Sequence, residues 1–468
     1  MKISIENFKS IKNLKNFQIK PFTVLSGVNS AGKSSFVQLL LLLKQTIELD
    51  SSKKPLLLNG EFYIVKDIIE IISNKSLKNK LKISFEFSKS EIEQYNELKT
   101  ISVFRTFDDY NCIIDINYDV SESRKILISI FSVTFNFADD NKQYIKISSN
   151  FDNTFSIKTN TGIFGSELFI AEPFISNISY SSFYPVSYES TTKTKTEYAT
   201  DLQINTNKEL INLDDIKVLI NSFLEDISYI GPNREIPKDE YSALMNYKSV
   251  GSKGEFTAQI LQEEALTYID FNKIENQENG ISYIEKKEEF AKAVKYWVCD
   301  YFEVAENIRA EKTNENYKII LTDKSGLETS IKHVGFGISQ LLPIVVEGLR
   351  MQNKGTLIIE QPEIHLHPKL QSKLYDFLYG LMLQGKKVIV ETHSSHFITR
   401  MRRRIAEDES NQMDNNIGLT FIEDDIFRSI ELDDYGTMDY YPDDFIEQSN
   451  TELRAIVKAQ MKKRAIND

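Results

Sequence analysis

The sequence predicts an α/β fold, and three observations carry that expectation. An apolar run, Phe22-Thr-Val-Leu-Ser26, passes through a glycine- and serine-containing turn, Gly27 to Ser35, into a helix-like stretch, Phe36 to Lys44. A strand, helix, strand alternation returns between about 330 and 400 as Gly355–Glu360, Lys369–Leu383 and Lys387–Glu391. Between these blocks, from about 56 to 170, short runs such as Leu81–Phe87, Cys112–Tyr118 and Lys125–Phe131 alternate apolar and polar residues. That period of two is the mark of half-buried antiparallel strands.

The first block also carries chemistry. Gly27-Val-Asn-Ser-Ala-Gly-Lys-Ser-Ser35 fits Gly-x-x-x-x-Gly-Lys-Ser in full, and its strand and helix flanks are the context that motif requires. Backbone N–H groups of Asn29, Ser30, Ala31, Gly32 and Lys33 are placed to curl around an anion at a helix start, where unpaired donors and the helix dipole favour negative charge. Lys33 supplies a point charge for the β- and γ-phosphates, and the Ser34 hydroxyl is a candidate Mg²⁺ ligand. With Gly27 and Ser35 at its ends, the string is read as a nucleotide-phosphate site.

Residues 176–207 are rich in Ser, Thr, Lys and Tyr and poor in aliphatics, which reads as a mobile loop or linker. Helix-spaced apolar residues follow in 208–308, including Ile216, Ile220, Phe223 and Leu224, then Phe290, Val294, Trp297 and Val298. Tyr229-Ile-Gly-Pro-Asn-Arg-Glu235 and the pair Gly251 and Gly254 interrupt them as turns or functional loops. No heptad run lasts long enough for a coiled-coil arm. The tail offers Ile417–Ile422 and Arg428–Leu432 as a hairpin, then a charged terminal helix.

At 468 residues the chain has room for two or three domains. With 41% hydrophobic and 26% charged residues, and no apolar run near the roughly 20 residues of a membrane span, the expectation is a cytoplasmic protein without a membrane partner. The start, Ile3-Ser-Ile-Glu-Asn7, reads as a strand rather than a secretory signal. Cys112 and Cys299, the two cysteines, are too few for a disulfide framework or a cysteine zinc site. A net charge of −12 repels nucleic acid, so any DNA contact needs a local basic patch. Arg400, Arg402, Arg403 and Arg404 form the candidate; the competing reading makes them partners of carboxylates on a solvated helix face.

The second block sharpens the picture. Leu357-Ile-Ile-Glu-Gln-Pro-Glu-Ile-His-Leu-His-Pro368, Val390-Glu-Thr-His-Ser-Ser-His396 and Val334-Gly-Phe-Gly-Ile-Ser-Gln-Leu-Leu-Pro343 resemble, in order around the phosphate loop, the motifs of the ABC superfamily's SMC, RecF and overcoming-lysogenisation-defect branch. The resemblance covers roughly residues 1–50 and 330–400. It implies an ABC-type P-loop ATPase head: a mixed β-sheet core plus an antiparallel β lobe, an inserted helical region and a small C-terminal α+β tail. The corresponding segments are 1–55 (first part of the head), 56–175 (β-rich lobe), 176–207 (linker), 208–329 (helical insertion), 330–414 (second part of the head) and 415–468 (tail).

The same resemblance implies ATP and Mg²⁺ as cofactors. It places Glu360 on the metal, Gln361 where relatives have a catalytic glutamate, His365 and His367 in an interface D-loop, and His393 at the γ-phosphate or attacking water. Gly335, Gly337, Ser339 and Gln340 take the place of the signature, acting in trans on a second subunit's nucleotide. Lys9 and Ser10 flank the nucleotide, while Gln38 and the segment Asn59 to Tyr63 remain alternatives for the Q-loop. An amide at Gln361 orients water but does not accept its proton. Either hydrolysis is slow and ATP acts as a clamp, or Glu363 supplies the carboxylate. A metal site at His365 and His367 is the weaker reading, since no third ligand lies nearby.

Heads of this kind bind ATP between two subunits, so a homodimer or higher homo-oligomer is expected. Relatives fused to a Toprim nuclease have a long extension; here Phe421–Asp425, Asp433-Asp434 and Asp443-Asp444 lack the Toprim acid pattern, which implies an ATPase without its own nuclease. The segment Tyr435 to Gln448 resembles a tail of bacterial AAA ATPases encoded beside a nuclease or toxin in Septu-like and PARIS-like anti-phage pairs. The leading implication is a sensor or scaffold for such an effector. The alternatives are a RecF- or SMC-like DNA-clamping ATPase and an ATP-binding scaffold without turnover.

Overall fold

A computed structural model describes residues 1–28, 31–48, 54–94, 109–138, 141–152, 154–160, 174–196, 199–209, 213–243, 247–277, 280–409, 413–442 and 460. The chain divides into two compact units. Met1–Ile19, Ser34–Ile227 and Asp424–Ile426 belong to the first, and Lys20–Lys33, Ser228–Glu423 and Phe427–Asp468 to the second.

Alternation builds the first unit. Seven strands pair antiparallel in the order Ile11–Gln18, Lys2–Phe8, Leu81–Ser88, Tyr110–Val120, Ile126–Phe137, Lys142–Ser149 and Phe155–Thr159. Leu81, Ile83, Phe85 and Phe87 are buried while the residues between them are not, so one sheet face is core. Leu81–Ser88, Tyr110–Val120 and Ile126–Phe137 are the strands the named alternating runs predict, and Lys2–Phe8 and Ile11–Gln18 join them from the segment expected in the head. Helix α1 (Lys33–Glu48) buries Phe36, Val37 and the whole run Leu39 to Leu43, the pattern of a core helix rather than a surface one. Its Gln45 side chain donates to the carbonyls of Leu57 (2.6 Å) and Tyr63 (2.9 Å) and accepts from the Tyr63 N–H (3.0 Å), which anchors the following loop.

Residues 176–207 depart from the loop expectation. Phe174–Ser181, Tyr184–Thr196 and Ala199–Glu209 form a three-stranded antiparallel sheet. Threonine is β-branched and favours strands as readily as polar composition suggests loops. Helix α2 (Leu213–Leu224) then buries Ile216, Leu219, Ile220, Phe223 and Leu224 on one face, as its spacing predicts.

A six-stranded sheet organises the second unit. In chain order its strands are β1 (Phe22–Gly27), β2 (Ile227–Ile230), β3 (Thr356–Glu360), β4 (Lys387–Glu391), β5 (Ile417–Glu423) and β6 (Ile426–Ile430), arranged β2-β3-β4-β1-β5-β6. The pairs β3–β4, β4–β1 and β1–β5 are parallel. Every residue of β1 and β3 is buried, as continuous apolar strands covered on both faces must be. The expected tail hairpin is present: β5 and β6 are joined through Asp424 and Asp425, at φ 49° and 65°, the left-handed pair of a tight two-residue turn. The terminal helix lies outside the described residues.

Around this sheet stand α3 (Thr257–Glu263), α4 (Phe290–Lys295), α5 (Phe336–Arg350), α6 (Pro368–Leu383) and α7 (Ser395–Ala406). Residues 208–329 are not the helical region expected. Alongside α2, α3 and α4, Tyr268–Gln277 pairs with Gly280–Glu289 and Asn307–Thr313 with Asn316–Thr322, both antiparallel. The apolar positions of the helical stretches are nonetheless core: Trp297 is 1% exposed and meets Phe377 edge-to-face at 4.9 Å, a pair worth about 0.5–1.5 kcal/mol beyond its buried area.

Candidate active site

Parallel pairing sets the site. Glu360 at the end of β3 lies opposite Glu391 at the end of β4, and Glu391 lies opposite Leu25 of β1. The carboxyl ends of three neighbouring strands therefore finish together, where open α/β sheets receive their ligands. Gly27 closes β1 at φ 138°, and a Cβ there would stand 2.0 Å from the Ile422 carbonyl oxygen, so only glycine fits the turn.

Lys33 is 3% exposed, and its ammonium donates to the carbonyls of Val28 (2.6 Å) and Gly27 (3.1 Å). Burial lowers its pKa, an effect opposed by the nearby charges of Glu391 and Glu363. Both Glu360 and Glu391 are buried. The Tyr229 hydroxyl donates to Glu360 Oε1 at 2.7 Å; burial, then the Glu360 charge, raises the Tyr229 pKa and keeps that proton in place.

The alternative between Gln361 and Glu363 takes a geometric form. The Gln361 N–H donates to the Glu391 carbonyl (2.7 Å), and its backbone is left-handed at φ 45°. Glu363 is engaged with the end of β4: its carboxylate accepts from Thr392 Oγ1 (2.8 Å) and the His393 N–H (2.7 Å). That carboxylate thereby holds the residue expected to sense the phosphate. Burial, then the Lys33 charge, lowers the His393 pKa, so His393 is neutral at pH 7.

Sequence reasoning missed three groups here. Glu391 sits inside the string that resembles a switch strand, Tyr229 lies on β2 and Arg234 in the loop after it. Arg234 is 6% exposed; its Nη2 donates to the carbonyls of Glu360 (3.0 Å) and Gln361 (3.3 Å), while Nε and Nη1 are buried without a hydrogen-bond partner among the described residues. Burial pulls its pKa down to about 10, with Glu363 opposing, so it remains a cation.

The residues expected as signature and D-loop come together at the start of α5. Gly335 and Phe336 are exposed, and a Cβ on Gly335 would meet nothing within 4 Å. A Cβ on Gly337 would lie 3.2 Å from the His365 carbonyl, and the Phe336 and His365 rings are 5.7 Å apart. Ser339 and Gln340 are buried, and the Ser339 hydroxyl donates back to the Phe336 carbonyl (2.7 Å). His367 caps α6 through Nδ1, which accepts from the Lys369 N–H at 3.3 Å. Among the described residues no three His, Cys, Asp or Glu side chains are grouped to hold a metal.

In the first unit, the Lys9 ammonium donates to Gln38 Oε1 (2.6 Å) and the Tyr63 hydroxyl (2.8 Å), and the Ser10 and Ser35 hydroxyls are 3.0 Å apart. Lys9 thus joins both Q-loop alternatives. Ser34, Ala31 and Gly32 are described, whereas Asn29 and Ser30 lie outside the described residues.

Three of the four arginines of the run pair with carboxylates. Arg400 and Arg404 bind the fully buried Asp376 (2.8 and 2.7 Å), Arg403 binds Glu407 (2.6 Å), and Arg402 donates to the Gly436 carbonyl (2.7 Å) and the Tyr441 hydroxyl (2.9 Å). Of the tail acids, Asp433 accepts from the backbone of its own turn, Tyr435 and Thr437; Asp443 and Asp444 lie outside the described residues.

A buried lysine that donates to neutral carbonyls, beside buried carboxylates, has the donor and acceptor set that a magnesium nucleotide needs. Fold and site define a P-loop ATPase head. The chain belongs to the family described as an AAA ATPase domain, which matches residues 1–398. A comparison with curated proteins finds no match. Among solved structures it is similar to an SMC head bound to the C-terminal winged-helix domain of ScpA, at 10% identity and TM-score 0.39 over 92% of this chain and 97% of that one. It is similar to the SMC head domain from Thermotoga maritima at 7% identity and TM-score 0.36, over 92% and 98%. A Smc head with an extended coiled coil, bound to a ScpA domain derived from Pyrococcus furiosus, matches at 9% identity and TM-score 0.39, over 97% and 98%. Among the described residues no helix is long and apolar enough to cross a membrane.

Proposed function

We propose that the protein binds ATP with Mg²⁺, hydrolyses it slowly, and uses the bound nucleotide to hold two copies of the chain together. One observation carries this reading: Lys33 stands buried against two carbonyls at the strand ends that gather Glu360 and Glu391, and an amide, Gln361, follows where a carboxylate would speed hydrolysis. Lys33 takes the β- and γ-phosphates. Ser34, next in the chain, and Glu360 are the proposed Mg²⁺ ligands. The metal neutralises phosphate charge when bound. Neutral His393, held by Glu363 through its backbone N–H, positions the attacking water or the γ-phosphate, and Gln361 orients the water. The open start of α5, with Gly335 and Phe336 exposed, is the face offered to the second copy. Light scattering with and without ATP·Mg²⁺ tests the clamp: mass doubles in wild type and stays monomeric in Lys33→Ala, and an unchanged mass in wild type sinks it.

The clamp serves as sensor or scaffold for a separately encoded nuclease or toxin in anti-phage defence, a reading that rests on the tail resemblance. Pairing of Arg400, Arg403 and Arg404 with Asp376 and Glu407 counts against the DNA-clamp alternative. Co-purification with the product of the neighbouring gene is expected. Hydrolysis stimulated by free duplex DNA, with no such complex, would favour the alternative.

A further inference from the structure

β2 lies beside β3 at the edge of the sheet, and it and the loop after it each bring one side chain to the end of β3. Tyr229 holds the Glu360 carboxylate, and Arg234 holds the carbonyls of Glu360 and Gln361. The backbone at Gln361 is left-handed, a conformation that disfavours residues with a Cβ and persists only when its surroundings impose it. Two groups impose it here. The Glu391 carbonyl takes the Gln361 N–H, and the Arg234 guanidinium takes the carbonyls on either side of the Gln361 nitrogen-to-carbonyl span.

The cost of this arrangement is visible. A guanidinium is withdrawn from water, yet Nε and Nη1 have no partner among the described residues. Burying a cation with unsatisfied donors is destabilising, and an apolar residue of similar length would fill the space more cheaply. Such an expense at a strand end marks a group kept for what it positions. Gly231 and Glu235, on either side of Arg234 in the same loop, donate their N–H groups to the Ser252 and Lys253 carbonyls, each at 2.8 Å, so the loop is tied at both ends.

We propose that Arg234 is a positioning residue for hydrolysis, fixing the left-handed peptide from which the Gln361 amide meets the attacking water. This rests on the ATPase reading above and deepens it: Arg234 acts through the Glu360–Gln361 backbone, not on nucleotide affinity. The role was hidden in sequence because Arg234 precedes Gln361 by more than a hundred residues and meets it only through the pairing of β2 with β3.

The test measures nucleotide affinity with a fluorescent ATP analogue and single-turnover hydrolysis of ATP·Mg²⁺, on the full chain, for wild type, Lys33→Ala, Arg234→Ala and Arg234→Lys. Expected for both Arg234 variants is affinity close to wild type with hydrolysis slowed about 10- to 100-fold, the scale of a misplaced catalytic group. Millimolar guanidinium restores part of the rate to Arg234→Ala and leaves wild type unchanged, a rescue that a purely structural role would not give. Hydrolysis equal to wild type, or affinity and rate falling together without rescue, overturns the proposal. So does failure of both Arg234 variants to fold, which would make the residue structural only. If wild type itself neither binds nor hydrolyses ATP, the ATPase reading fails first, and the Lys33→Ala comparison separates the two failures.

Discussion

Two clusters of buried charge in the second unit are built on opposite plans. At the middle of α6 and α7, Asp376 is fully buried and accepts from Arg400, Arg404 and the Tyr301 hydroxyl, while Glu407 takes the outer faces of Arg403 and Arg404. Charge meets charge there. At the strand ends, among the described residues, Lys33 and Arg234 meet only backbone carbonyls, Arg234 keeps two donors unpaired, and Glu363 accepts from a hydroxyl and an N–H. A self-complete network specifies packing, whereas an incomplete one is poised for a charged ligand.

The largest effect expected is on the complete cluster. Asp376→Ala removes the buried carboxylate that Arg400 and Arg404 share and should cost about 3–5 kcal/mol in urea unfolding, with nucleotide affinity of the folded fraction unchanged. A loss below about 1 kcal/mol would show that the network contributes no more than a surface pair. On the incomplete cluster the order reverses. Lys33→Ala should weaken ATP binding by about 100-fold, the worth of a charge-assisted contact, with little change in the urea midpoint. Equal affinity in the variant would dissolve the comparison.

Smaller effects refine it. Glu363→Ala frees Thr392 and His393 and should slow single-turnover hydrolysis about tenfold or more without loss of affinity; Gln361→Glu should speed it. A Gln361→Glu rate no higher than wild type would mean the amide is not what limits turnover. The His393 pKa is depressed below its ordinary 6.5, so its neutral form persists as pH falls to that value and protonation comes lower. Hydrolysis should therefore stay flat from about pH 8 to 6.5 and fall only below, a fall absent in His393→Gln. Because the folded state resists that proton, His393 also withdraws stability as pH drops through 6.5. Least affected should be Arg403→Ala, an exposed member of the run, within about 0.5 kcal/mol and with no change in duplex DNA binding.

The sequence was most legible where function is written locally. Gly27 to Ser35, Leu357 to Pro368 and Val390 to His396 are short strings whose flanking strands and helices could be read from apolar runs. The alternating strands Leu81–Ser88 and Tyr110–Val120 were legible for the same reason, one buried face declaring itself every second residue. Composition misled at Phe174–Glu209, where serine and threonine suggested a linker and backbone pairing made a sheet. It misled again at Tyr268–Glu289, whose Glu- and Lys-rich second half suits a helix until antiparallel pairing overrides local propensity. Tyr229 and Arg234 were illegible as site residues because strand order, not spacing, carries them to Glu360. The Arg400 to Arg404 run was ambiguous until Asp376, on another helix, was placed beneath it.

The most direct test of the contrast is the unfolding midpoint with and without ATP·Mg²⁺ in wild type, Lys33→Ala and Arg403→Ala. The nucleotide should raise it in wild type and Arg403→Ala, because a ligand of the native state stabilises by mass action, and should leave Lys33→Ala unmoved. A wild-type midpoint indifferent to ATP·Mg²⁺, or an equal rise in Lys33→Ala, would contradict the account of the strand ends as a nucleotide site.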